Sequence, residues 1–81
     1  RGRVLEIGAG TGLDFPHYEQ GAWVVATDPD LGMLHRARER AAQSGATVVL
    51  VAADAEALPF RDADFDAAVV GLAMCTIPHP D

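Results

Sequence analysis

The chain has 81 residues, 49% of them hydrophobic and 22% charged, which is the profile of one small folded domain rather than a disordered segment. Twelve acidic against six basic residues give a formal charge of −6, the wrong sign for a surface that neutralises phosphates, so nucleic acid is excluded as a favoured partner. No apolar run approaches the ~20 residues of a membrane-spanning helix, no signal-peptide pattern opens the chain, and the lone Cys75 has no internal disulfide partner, which fits a reducing, cytoplasmic compartment.

The first element is a strand over 3–7. It runs through Val4-Leu5-Glu6-Ile7 into Gly8-Ala9-Gly10-Thr11-Gly12. Glycine at every second position tolerates positive φ and carries no Cβ, so the chain can turn sharply at the strand's carboxyl end and let a nucleoside lie against backbone. A dinucleotide fingerprint would need its third glycine at position 13, where Leu13 stands. Glu6 is an acid in an aliphatic strand, and a buried carboxylate without a partner is costly. Arg1 or Arg3 could supply one as an ion pair.

Asp14 as a cap and Pro16 in the first turn predict a short helix through His17 and Tyr18. A second strand over 22–27 delivers Asp28 to the same sheet edge about twenty residues after the first glycine, where a carboxylate can accept hydrogen bonds from both ribose hydroxyls. Asp30 as N-cap and Gly45 as stop bracket Leu31, Leu34, Ala37 and Ala41 at helical spacing, an amphipathic helix of about four turns. Arg36, Arg38 and Arg40 alternate with Ala37 and Glu39 as a solvated helix face does.

A third strand over 46–53 ends at Asp54, and residues 55–64, polar and broken by Pro59, form a connection without a predicted helix. Within it Leu58 and Phe60 either cover a ligand or pack the core. A fourth strand over 65–71 is anchored at its start by Asp66, and Pro78 and Pro80 are expected to stop the last strand and begin a connection. All four runs are nearly continuous in apolar character, as parallel strands covered on both faces must be. The alternation predicts an α/β fold, a Rossmann-like three-layer α/β/α arrangement with about four parallel strands. Cys75 reads as a small buried apolar residue and His79 as a loop histidine, with a general base as its alternative. His17, His35 and Cys75 lack metal-ligand spacing, so no metal is expected.

Written as E-x-G-x-G-x-G, residues 6–12 resemble the first motif of the class I S-adenosylmethionine-dependent methyltransferases. The continuation Asp54-Ala55-Glu56-Ala57-Leu58-Pro59-Phe60, with Asp64-Phe65-Asp66 after it, is similar to their small-molecule subgroup. Glycine turn, Asp28, Asp54 and the Phe65-Asp66 strand follow in the family's order over nearly the whole chain. The resemblance implies that S-adenosylmethionine is held by Glu6, Gly8, Ala9, Gly10, Gly12, Asp28, Asp54 and Ala55. In it Glu6 lies near the methionine ammonium, Asp54 receives the adenine amine and the Ala55 amide meets a ring nitrogen. The implied reaction is methyl transfer to a small-molecule acceptor, with no catalytic residue assigned.

The family sheet has seven strands. Residues 1–81 are therefore expected to be a partial, cofactor-binding domain, an excised piece that begins at Arg1. In the family order 3-2-1-4 the fourth strand would be an exposed apolar edge and a site of self-association. A nicotinamide-dependent oxidoreductase, or a non-catalytic binding domain, would use the same fold and Asp28.

Overall fold

The computed structural model describes residues 2–61 and 64–71, and the backbone of 75–77. Strands β1 (Arg3–Ile7), β2 (Trp23–Asp28), β3 (Thr47–Ala52), β4 (Ala67–Val70) and β5 (Cys75–Ile77) form one sheet in the order β3-β2-β1-β4-β5. β1 through β4 are parallel, with Leu5 opposite Val25 on one side and Ala68 on the other, and Val25 opposite Val49. The expected 3-2-1-4 order is present, but β4 is not the edge. β5 pairs with it in antiparallel fashion, Val69 opposite Thr76. β5 thus runs back along β4, a pairing for which the short Cys-Thr-Ile run next to Pro78 gave no periodic signal. The edges among the described residues are β3 and β5.

Helix α1 (Leu31–Gln43) joins β2 to β3. Asp30 caps it as expected, its Oδ1 accepting the Gly32 and Met33 amides at 2.8 and 3.3 Å and so satisfying two of the donors a helix start leaves free. At the other end the stop is not Gly45. The chain leaves the helix at Ser44, which is extended at φ −72°, ψ 146°. The Ser44 hydroxyl donates to the Phe15 carbonyl and accepts the Ala46 amide, both at 3.1 Å, so a side chain rather than a left-handed glycine ends the helix. Leu34 and Ala37 are buried as predicted. Leu31, in the first turn, is 70% exposed, at the rim of a groove it shares with Leu50 and Ala52.

Between β1 and β2 the predicted short helix is a single 3-10 turn, Phe15–His17. Asp14 occupies its N-cap position without making a capping bond. Phe15, Ala22, Val24, Ala26, Ala37 and Ala46 form the core, with Val4, Val48 and Leu50 packed against it. Side chains alternate across a strand, so Val4, Val24 and Val48 face α1 while Trp23, Val25 and Val49 point away. Trp23 and Val49 are 51% and 41% exposed. Within the described residues the helical layer therefore covers one face of the α/β fold. No helix among them is long and apolar enough to cross a membrane.

Candidate functional site

The carboxyl ends of β1, β2 and β3 meet at one edge, where the Ala9 amide donates to the Thr27 carbonyl at 2.8 Å and the Ala53 amide to the Asp28 carbonyl at 3.2 Å. Gly8, Gly10 and Gly12 all have positive φ, at 73°, 59° and 85°. At Gly8 and Gly10 a Cβ would meet nothing within 4 Å, so the turn is open on that side. At Gly12 it would stand 2.6 Å from the Phe15 ring. The three glycines therefore divide between two tasks: Gly8 and Gly10 leave a cradle, and Gly12 packs the turn onto the core.

Asp28 holds this turn in place. Its Oδ2 accepts the Gly10 amide and its Oδ1 the Asp30 amide, each at 2.9 Å. A carboxylate has about four acceptor positions, so two remain for a ligand. Asp54 is exposed two residues past β3, with its Oδ1 accepting the Glu56 amide at 2.9 Å, and Ala55 next to it is exposed as well. Asp66 anchors β4 as expected: its Oδ2 accepts the Arg3 amide and its own amide donates to the Arg3 carbonyl, both at 2.8 Å. Phe60 stacks edge-to-face on Phe65 with ring centroids 5.5 Å apart, so its contact is with the protein itself.

Glu6 is fully buried, and among the described residues, Arg3 included, its partner is not an arginine; Arg1 lies outside them. Tyr18 donates its hydroxyl hydrogen to Glu6 Oε1 at 2.6 Å, while Oε2 is buried with no donor among the described residues, and the Asp14 side chain lies against the same carboxyl. Burial pushes the Glu6 carboxyl up to about 7; the Tyr18 hydrogen bond opposes this and Asp14 adds to it. The Tyr18 hydroxyl is itself pushed well above the ordinary phenol range, by burial first and then by Glu6. Asp14, expected to cap a helix, is instead a buried acid acting on Glu6.

Four contributors were missed from the sequence. Tyr18 and Asp14 surround Glu6. Arg40, read as part of a solvated face, donates from Nη1 to the Thr11 carbonyl at 2.9 Å and ties α1 to the turn. Gly71 lies so close to the turn that a Cβ on it would stand 2.2 Å from the Gly8 carbonyl oxygen and 2.8 Å from Glu6 Oε2. A glycine closing a strand is a recognised mark of close backbone approach, and only Gly71 carried such a signal. Among the described residues no three His, Cys, Asp or Glu gather as a metal site would require. His79 lies outside the described residues, and of Cys75 only the backbone is described.

A glycine cradle at the carboxyl edge of a parallel sheet, with an acid at the end of the next strand, defines a Rossmann-like module that takes its ligand at that edge. The chain belongs to the methyltransferase domain family, whose model matches residues 4–81. It is 40% identical over 82 residues to a phosphatidylethanolamine N-methyltransferase of Cereibacter sphaeroides, covering 99% of this chain and 40% of that protein. To a demethylmenaquinone methyltransferase of Renibacterium salmoninarum it is 38% identical over 79 residues, covering 96% of this chain and 32% of that one. The crystal structure of the PH0226 protein from Pyrococcus horikoshii superposes with a TM-score of 0.71 at 34% identity, over 85% of this chain and 33% of that one. The chain thus spans well under half the length of these relatives.

Proposed function

We propose that this chain is the S-adenosylmethionine-binding part of a cytoplasmic methyltransferase that modifies a small-molecule acceptor. The observation that carries the reading is the open cradle at Gly8 and Gly10, flanked by Asp28 and by the buried acid Glu6. These groups fit the cofactor's chemistry. The glycine turn, with Ala9 and Gly12 in it, would let the ligand lie on backbone. Asp28 would accept ribose hydroxyls on its remaining lone pairs, Asp54 and the Ala55 amide would meet the adenine, and Glu6 would face the ammonium. When bound, S-adenosylmethionine supplies an already activated methyl group, so the protein's share is chiefly to place donor and acceptor in line. By their names, the two relatives act on phosphatidylethanolamine and demethylmenaquinone, which supports an acceptor that is not a macromolecule.

Calorimetry on the full-length protein with S-adenosylhomocysteine and NAD in parallel tests the reading. S-adenosylhomocysteine should bind, and Asp28→Ala should weaken it by about 1–3 kcal/mol through lost hydrogen bonds to the ribose and a released Gly10 amide. Binding of NAD alone, or an unchanged affinity in the variant, would overturn it. The exposed Trp23 and Val49 and the open sheet edges also favour self-association of residues 1–81 on their own. Gel filtration that returned a monodisperse monomer would refute this.

A further inference from the structure

Strand β3 is an edge whose unpaired backbone groups follow from its pairing with β2. On the β2 side, the Thr47 amide donates to the Ala22 carbonyl at 2.8 Å and the Ala53 amide to the Asp28 carbonyl at 3.2 Å. Backbone groups alternate from side to side along a strand. Thr47, Val49 and Val51 therefore bond to β2, and the N–H and C=O groups of Val48, Leu50 and Ala52 point outwards, where no strand meets them among the described residues. Natural edges are blunted by charges, proline or bulges. The run Thr-Val-Val-Leu-Val-Ala has none of these, and its register with β2 is unbroken.

Beside this edge α1 forms a wall. A groove of about 900 Å3 between helix and strand is lined by His35, Arg36, Arg38 and Glu39 on one side and by Val48 and Leu50 on the other. A second groove of about 320 Å3 shares His35, Arg38 and Leu50 with it and continues along the strand past Ala52, so the two form one channel parallel to the edge. Arg40 is engaged with Thr11, whereas among the described residues neither Arg36 nor Arg38 has an ion pair or a side-chain hydrogen bond. The groove is thus locally basic on a chain of net charge −6.

We propose that the β3 edge and the α1 groove bind an extended, acidic segment of a partner protein, which adds to the sheet as a further strand. Its backbone pairs with Val48, Leu50 and Ala52. Side chains alternate across a strand, so every second residue of the segment faces α1, as Val48 and Leu50 do. These residues meet Arg36, Arg38 and His35 and are acidic. The residues between them lie on the other face beside Val49, which is 41% exposed, and are apolar. The bare edge alone would also accept a second copy, but along the groove charge disfavours one. Two-fold pairing of β3 with itself sets four guanidiniums against two carboxylates on one seam, between chains that each carry −6. The groove shares no residue with the glycine turn, Asp28 or Asp54, so the inference stands apart from the cofactor reading.

The test is calorimetry of the full-length protein with the capped peptide Val-Glu-Val-Glu-Val-Glu-Val as probe. The peptide should bind, and its counterpart with glutamine for glutamate should bind about tenfold more weakly. Arg36→Glu combined with Arg38→Glu should weaken the acidic peptide by about tenfold or more while leaving the urea midpoint little changed, because both side chains are exposed. N-methylation of the valines or of the glutamates puts the methyl groups on opposite edges of the segment, so one series should lose binding and the other keep it. No binding, equal affinity for the two peptides, unchanged affinity in the double variant, or the same effect in both methylated series would each overturn the proposal. A dimer of the full-length protein that the peptide dissociates would give the edge to a second copy and overturn it as well.

Discussion

Gly71→Ala places one methyl group where the sheet has no room for it. The new carbon would stand 2.2 Å from the Gly8 carbonyl oxygen, 2.9 Å from the Gly8 carbonyl carbon and 2.8 Å from Glu6 Oε2, against the roughly 3.5 Å at which non-bonded atoms rest. Two of these three neighbours are backbone, so no rotamer change removes the overlap. Relief requires β4 to part from β1, and that movement strains the 2.8 Å bond from the Gly71 amide to the Ile7 carbonyl and the Ile7–Val70 pair beside it. Overpacking costs about 1–3 kcal/mol, and the upper end applies because the obstacle is main chain. Denaturant titration of the full-length protein should show that loss, and calorimetry should show weaker S-adenosylhomocysteine binding, because the displaced atoms belong to the glycine turn. A variant with the wild-type midpoint and affinity would refute the close approach of β4 to the turn.

At Gly10 the opposite balance holds: a Cβ meets no protein atom, so Gly10→Ala should lose only about 1–2 kcal/mol of stability from its positive φ while the methyl enters the ligand's space and weakens S-adenosylhomocysteine at least tenfold; equal affinity in the two proteins would show that the cradle is not where the ligand lies. Glu6 governs a pH effect on the free protein. Its folded value near 7 is raised from 4.5, so the stability it contributes is full below the unfolded value and is lost as pH rises through about 7. Glu6→Gln should therefore stabilise the unliganded protein by a few kcal/mol at pH 8, with the gain shrinking towards pH 5. Urea midpoints that shift in parallel for both proteins over that range would refute it.

Much of the architecture was legible because it depends on local signals. Four apolar runs marked the four parallel strands, and Asp30 marked the start of α1 through an interaction two and three residues away. The strand β5 was not legible, since three residues carry no period and its partner β4 supplies the reason it forms. The end of α1 was misassigned to Gly45 because the actual device, Ser44 joined to Phe15, spans 29 positions. Leu31 fitted the helical stripe, yet at the first turn it reaches only the groove rim beside Leu50 and Ala52.

The candidate site divides along the same line. Gly8, Gly10 and Asp28 could be found because a tight turn and a strand-end acid each leave a residue-type signature at a fixed offset. The surroundings of Glu6 left none. Burial demanded a partner, and arginine was the natural expectation for a carboxylate, but β1 directs Glu6 towards the turn before β2, where Tyr18 and Asp14 stand. An arginine there would have held Glu6 in its charged form. A tyrosine satisfies one oxygen and favours the charged form, while burial and Asp14 push the carboxyl up to about 7. The chemistry of the site thus depends less on the presence of an acid in β1, which the sequence displays, than on which neighbour the fold brings to it.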